Sequence, residues 1–267
     1  MFFQYREALF TVVNWNVYDG VDMYAGFWKR ILDILLSGIA LLVFSPLLVL
    51  LVILDALMMK GTPFFFQLRP GKKGRNGKEV IFRIIKLRTM TNERDKEGNL
   101  LPDVDRLTPF GRFIRSTSMD ELYQLINVLK GDMSLIGPRP QLVRDMVFMT
   151  KEERKRHDVR PGISGLAQIR GRNALSWEGR LAADVEYVDN ISFVADMGII
   201  WKTIGKVLRR ENTNTEGMET SEDYGDYLLR IGRIDEKYYQ EKQREAIELL
   251  NLFLKTGDIN TDADLAD

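Results

Sequence analysis

The chain has 267 residues, with 38 Lys+Arg against 38 Asp+Glu, one His and no Cys. Without cysteine there can be no thiol nucleophile, disulfide, thiolate zinc site or iron–sulfur cluster, and a lone imidazole cannot supply a multi-histidine metal site. Catalysis here must rest on carboxylates, Lys, Arg, Tyr, Ser or Thr, and a composition of 45% hydrophobic and 28% charged residues argues against a multi-span membrane protein.

The balance of charge conceals an asymmetry. Residues 1–210 hold 32 basic and 23 acidic side chains, a net of +9, whereas residues 211–267 hold 6 and 15, a net of −9. A basic body points to phosphate-bearing partners such as nucleotides or an anionic membrane surface. Nucleic acid is the weakest of these, because no recognition-fold signature occurs and the basic residues cluster near an apolar run.

Residues 1–22 lack a basic n-region and an A-x-A cleavage site, so they do not read as a signal peptide; they form an N-terminal extension. In the next segment, 23–60, the 21 residues from Ile34 to Leu54 carry no formal charge, long enough as a helix to cross ~30 Å of hydrocarbon. Ser45-Pro46 lies near the middle, where proline removes a helical hydrogen bond and a kink is expected. Lys29 and Arg30 precede the run, while Lys60, Arg69, Lys72, Lys73 and Arg75 follow it. With both flanks basic, the positive-inside rule places both in the cytoplasm. A helix that enters, turns at Ser45-Pro46 and returns satisfies both flanks, with Ser45 helping to satisfy the freed backbone. Asp33 and Asp55 would then sit at interface depth. A kinked span and a hairpin buried in a soluble core are the alternatives.

Residues 61–210 form the expected cytosolic body. PFFFQLR (63–69) and EVIFRIIKLR (79–88), joined by the turn-rich RPGKKGRNGK, read as a β-hairpin. Lys86 and Arg88, two residues apart, share a strand face and form either a cationic clamp or a solvated surface. In RSTSMDELYQLINVLKGDMSLIGPRP (115–140), Leu122, Leu125, Ile126 and Leu129 recur at helical spacing, Ser118 fits the N-cap and Gly131 fits C′. Asp120 and Glu121 then occupy the first turn, where the helix dipole favours anions and ionised carboxylates. There Asp120 could attack phosphorus, and Glu121 could hold Mg²⁺ against a diphosphate. Ser118-Met119-Asp120-Glu121 equally matches a capping box in which Glu121 serves only the helix.

Gly137-Pro138-Arg139-Pro140 is a stiff turn that would fix the Arg139 guanidinium. His157, in a charged helix over 150–160, reads as a packing or surface residue. RPGISGLAQIRGRN (160–173) combines glycines with Arg160, Gln168 and Arg172, a composition suited to phosphate. Asp184, Glu186, Tyr187 and Asp189 fall on a predicted helix, and Ile191 to Leu208 reads as an amphipathic interfacial helix. In the acidic tail, 211–267, residues 235–255 predict a helix with an apolar patch at Ile247, Leu250, Phe253 and Leu254. It could dock on its own body, form a homodimer or bind a downstream glycosyltransferase.

From about Met23 to Arg210 the motifs FWKRILD, the run broken at Ser45-Pro46, QLRPG, KLRTM, SMDELYQLINVLKGDMSLIGPRP and RPGISGLAQIRGRN follow one another in fixed order. In this the chain resembles the small monotopic phosphoglycosyl transferases, or bacterial sugar transferases, of glycoconjugate assembly. The resemblance implies an α+β fold, with a re-entrant membrane helix hairpin and interfacial amphipathic helices around a small catalytic domain containing a β-hairpin. It implies transfer of a sugar 1-phosphate from a UDP-sugar to a polyprenyl (undecaprenyl) phosphate, with Mg²⁺ required and UMP released, at the cytoplasmic face of the bacterial inner membrane. Carried over, Asp120 is the nucleophile that forms a covalent phosphosugar intermediate and Glu121 supports the metal. Lys86, Arg88, Arg139, Arg160, Gln168 and Arg172 are candidates for substrate contacts, and Ser45 and Pro46 for the hairpin. KGDMSLIGPRP and GRNALSW are similar to members that use acetamido sugars; glucose or galactose is the alternative within the family, and a membrane-bound scaffold the alternative outside it.

Overall fold

The computed structural model describes residues 23–59, 61–171, 175–209 and 222–256. A π-helical turn, Tyr24–Trp28, leads into α1, Lys29–Met58. Together they make one helical stretch, Tyr24–Met58, which is long and apolar enough to cross a membrane by length and composition. The antiparallel strands β1, Phe64–Lys73, and β2, Glu79–Leu87, follow. Next come α2, Asp103–Arg106, and α3, Pro109–Ser116; a 3₁₀ turn, Met119–Tyr123; and α4, Gln124–Lys130. Beyond them lie β3, Ser134–Ile136; α5, Val143–Met146; a second 3₁₀ turn, Glu153–Asp158; β4, Gly162–Ser164; and α6, Leu166–Arg170. The long helices α7, Trp177–Asp189, and α8, Phe193–Leu208, precede α9, Tyr224–Arg230, and α10, Glu236–Thr256. The mixed helix and sheet content agrees with expectation. The parallel β3–β4 pair, Ser134 on Gly162 and Ile136 on Ser164, was not anticipated, since three-residue strands carry no readable period.

α1 remains helical through Pro46 instead of breaking there. Proline cannot donate to the carbonyl four residues back, but Ser45 Oγ donates to that same Leu42 carbonyl at 2.8 Å. The local substitution keeps the helix intact.

Both ends of α1 are fastened to one body. At the start, the buried Asp196 of α8 accepts from Lys29 Nζ at 2.5 Å, Tyr24 Oη at 2.7 Å and Tyr187 Oη at 2.8 Å. Arg30 donates to the Val128 and Leu129 carbonyls at the end of α4. Toward the other end, Leu48 and Leu51 pack with Leu87, Ile114 and Tyr123, and Tyr123 Oη donates to the Leu48 carbonyl at 2.6 Å. Fully burying such side chains contributes on the order of 1.5–3 kcal/mol each. Between the two attachments, residues 42–46 are exposed on every face. Asp33 and Asp55, which bracket the apolar run, are both buried against the body. Asp33 accepts from Ser134 Oγ and the Leu135 amide at 3.1 and 2.9 Å. The Asp55 carboxylate has no hydrogen-bond partner among the described residues.

The hairpin pairs in register from Phe64–Leu87 to Pro70–Ile81, with a shift between Pro70 and Lys73. Phe82 and Ile84 of β2 pack on Val128 and Met133, while Asn127 Oδ1 accepts from Ile85 N at 3.1 Å and Nδ2 donates to the Arg83 carbonyl at 2.8 Å. That side chain takes the place of a third strand along β2. On α8, Val194 and Trp201 are 79% and 71% exposed and Phe193, Ile204 and Val207 are also open, the apolar face expected of an interfacial helix. α9 and α10 dock on the body, with Tyr224, Leu228 and Ala246 joining Val143, Met146, Phe148, Trp177 and Leu181 in one cluster.

Candidate active site

The segment that delivers Asp120 has an unusual backbone. α3 starts at Thr108, whose Oγ1 accepts from Gly111 N at 2.9 Å with Pro109 next, as expected of an N-terminus. After α3, Ser118 takes φ 55° and ψ 23°, the one non-glycine residue with positive φ among those described. Such a left-handed L-residue costs ~1–2 kcal/mol, and strain of this kind gathers at functional sites. The chain then enters the 3₁₀ turn that carries Asp120 and Glu121.

The capping-box alternative is therefore corrected. An N-cap needs an extended backbone, whereas Ser118 is left-handed and its side chain caps nothing. Its backbone is engaged on both sides instead, the amide donating to the Arg115 carbonyl at 3.1 Å and the carbonyl accepting from Glu121 N at 3.2 Å. The Glu121 carboxylate turns to cations instead. Arg139 Nη2 lies 2.6 Å from Oε1 and Nη1 3.3 Å from Oε2, while Lys86 Nζ lies 3.1 Å from Oε1. Gly131, at φ 95°, closes α4 as C′.

The Gly137–Pro140 turn is held by Gly137 N on the Ser164 carbonyl and Gly162 N on the Pro138 carbonyl, both at 2.9 Å. The crossing demands glycine, since a Cβ on Gly162 would sit 2.1 Å from Gly137 N.

The Asp120 carboxylate makes no hydrogen bond or ion pair with another described residue, in contrast to that of its neighbour. Burial pushes its carboxyl up to about 6; Lys86 opposes the rise, Glu121 adds to it, and Arg139 and Arg115 oppose it. The helix dipole alone pointed to a lower value, and withdrawal from water outweighs it. At neutral pH the group is still mainly ionised. The result is an unpaired carboxylate beside a paired one, with Lys86, Arg115 and Arg139 around them.

Among the sequence candidates, Asp120, Glu121, Lys86 and Arg139 are brought together. Arg88 is directed elsewhere, donating to Thr62 Oγ1 at 2.6 Å, so Lys86 and Arg88 do not share one anion site. Arg160 donates to the Gly131 carbonyl at 2.8 Å at the far end of α4. Gln168 Nε2 faces the Ile163 carbonyl at 3.3 Å and its Oε1 is buried without a partner among the described residues. Arg172 lies outside the described residues, and Ser45 and Pro46 lie in the exposed middle of α1. Arg115 was missed; it sits in the last turn of α3, with Nε 2.8 Å from Thr89 Oγ1, and no spacing rule singles it out. His157 is a buried packing residue.

The profile of the family described as Bacterial sugar transferase matches residues 24–210. The chain belongs to the bacterial sugar transferase family. It is 48% identical over 197 residues to "Uncharacterized sugar transferase EpsL" of Bacillus subtilis (strain 168), covering 73% of this chain and 95% of that protein. It is 37% identical over 199 residues to "UDP-glucose:undecaprenyl-phosphate glucose-1-phosphate transferase" of Caulobacter vibrioides, covering 69% and 71%. It is 41% identical over 193 residues to "UDP-N-acetylgalactosamine-undecaprenyl-phosphate N-acetylgalactosaminephosphotransferase" of Aeromonas hydrophila, covering 68% of this bacterial sugar transferase and 44% of the longer relative.

Proposed function

We propose that this bacterial sugar transferase moves a sugar 1-phosphate from a UDP-sugar to undecaprenyl phosphate, releasing UMP. The observation that carries the reading is the unpaired Asp120 carboxylate within reach of the Lys86, Arg115 and Arg139 charges; the names of the relatives support the reaction class. A carboxylate oxygen of Asp120 attacks the β-phosphorus, the bond to the bridging oxygen breaks, and UMP leaves with the electron pair. The polyprenyl phosphate oxygen then attacks the same phosphorus of the acyl phosphate, and Asp120 leaves as carboxylate. Lys86 and Arg139 orient Glu121 and offset phosphate charge through both displacements.

Among the described residues no group of three or more His, Asp or Glu side chains gathers. Two adjacent carboxylates, one of them unpaired, nevertheless suit Mg²⁺, which takes one or two carboxylates and fills its shell with substrate phosphate and water. Asp120 and Glu121 would hold it, and when bound it would neutralise charge on the diphosphate.

For the sugar, an acetamido sugar is the first choice and a hexose the alternative. Identity is slightly higher to the N-acetylgalactosamine relative, 41%, than to the glucose relative, 37%. Purified protein with Mg²⁺, undecaprenyl phosphate and a panel of UDP-sugars is expected to release UMP fastest with one acetamido donor. No release from any donor would sink the reading and favour a scaffold.

We also infer that α1 re-enters the cytoplasmic leaflet without spanning it. Its two ends grip one body, and only residues 42–46 leave that body on all faces. The absence of native cysteine makes single labels unambiguous. Met23→Cys and Lys73→Cys, both outside the apolar run, should each resist an impermeant maleimide applied to the outside of spheroplasts. Labelling of Met23→Cys alone would mean a span.

A further inference from the structure

Arg156 is 1% exposed, and a charge so placed is costly unless fully partnered. Its Nε and Nη2 donate to Asp184 Oδ2 at 3.0 and 2.7 Å, and Nη2 also donates to the Arg139 carbonyl at 2.5 Å. Its Nη1 lies 3.4 Å from His157 Nε2, and His157 Nδ1 lies 3.1 Å from Glu79 Oε1. Arginine can only donate, and burial pushes the His157 pKa down to about 4. The neutral ring therefore accepts at Nε2 and donates from Nδ1 to Glu79.

This guanidinium joins α7, which carries Asp184, to the turn that carries Arg139. Arg139 stands between two prolines, each with a fixed φ. The preceding Pro138 carbonyl accepts from Gly162 N at 2.9 Å, and the Arg139 carbonyl itself accepts from Arg156. The backbone of residue 139 is thus held on both sides, and from that fixed start its guanidinium reaches Glu121. A buried ion pair seldom outperforms apolar packing as a source of stability. The place of this one, behind the arginine of the site, gives it a different use.

We propose that Arg156, with Asp184 behind it, is a positioning residue that fixes the Arg139 carbonyl and so aims the Arg139 guanidinium at Glu121. The proposal rests on the reading of Asp120 and Glu121 as the reacting pair. Arg156→Lys keeps the charge but loses the planar fork by which Nε and Nη2 together grip Asp184, so the nitrogen facing the Arg139 carbonyl is no longer held in place. Asp184→Asn keeps shape and a hydrogen bond but removes the charge. A misplacement of about 1 Å can cost ~100-fold in rate. Each variant should therefore lower kcat for UMP release roughly 10- to 100-fold, with KM for the UDP-sugar within about twofold. Neither should slow an Arg139→Ala protein further, because nothing is left to aim.

Losses that multiply onto Arg139→Ala would overturn the proposal, as would a folded variant with wild-type kcat. Failure of both variants to fold, read by circular dichroism, would assign Arg156 to the fold alone and overturn it too. A readout free of turnover separates this test from the functional reading. Phenylglyoxal should modify Arg139, followed by peptide mass, faster in both variants than in wild type, and equal rates would count against the brace. A wild-type protein inactive with every donor would remove the functional reading and leave the phenylglyoxal comparison to decide the brace.

Discussion

Asp120→Asn is expected to lower UMP release by about a thousandfold or more, since loss of a covalent nucleophile removes the low-barrier path entirely. Appreciable residual turnover would sink the assignment. The same carboxyl sets the acid limb of the wild-type rate. With its pKa pushed up to about 6 by burial, turnover should fall about tenfold per pH unit below that point, as the protonated form cannot attack. The stability effect has the opposite sense. The folded chain holds this proton more tightly than the unfolded chain, whose carboxyl titrates near 3.8. Its contribution is therefore present at low pH and lost as pH rises from about 4 to 6. Asparagine escapes that loss, so at pH 7.5 without Mg²⁺ the inactive variant should melt above wild type, and an equal or lower melting temperature would count against a carboxylate held at a cost in water contact.

Ending the chain at Arg209 is expected to cost the body most of its stability. The removed segment supplies Tyr224, Leu228 and Ala246 to a cluster containing Val143, Met146, Val147, Phe148, Trp177 and Leu181. Tyr239 stacks on Phe148 with ring centroids 5.7 Å apart, and Tyr224 lies 5.0 Å from Trp177. The polar stitches go as well. Tyr224 N donates to Asp145 Oδ1 at 2.9 Å, and Trp177 Nε1 donates to the Glu222 carbonyl at 3.0 Å. Re-exposing several large side chains at ~1.5–3 kcal/mol each gives a loss on the order of 5–10 kcal/mol, comparable with the whole stability of a domain. The truncated protein should be insoluble or melt without cooperativity, and a soluble product with the full-length melting temperature would refute this account. The effect would reach the site's neighbourhood, because Asp145 Oδ2 also accepts from Leu142 N at 3.1 Å, two residues after Pro140.

How much of this was legible in the sequence depends on the range of the forces involved. The hairpin was readable because the Gly, Pro and Asn content of RPGKKGRNGK acts locally, and Gly131 because left-handed closure is a one-residue requirement. The pairing of Asp120 with Glu121 was visible as adjacency. Their division of labour was not, because it depends on Arg139 and Lys86 arriving from 18 and 35 residues away. Ser118 reads as an ordinary N-cap, and only the junction of two helices forces it left-handed. Arg156 lies in KEERKRHD, a run that looks solvated from composition, and only the tertiary position of Asp184 turns it inward. The burial of Asp33 was hidden for a similar reason: β3 offers it a hydroxyl and an amide.

If α1 re-enters the leaflet as proposed, the hydrogen bond from Tyr123 to the Leu48 carbonyl makes it a depth gauge. Tyr123 stands three residues after Asp120 in one short turn, and Leu48 stands two residues beyond Pro46, at the edge of the exposed apolar tip. Two residues of helix measure about 3 Å along the axis. How far the Asp120 carboxylate sits from the exposed apolar tip is therefore counted out in residues along the chain. On the proposed reading, the reach needed to meet a phosphate on a lipid is built into the molecule as a length.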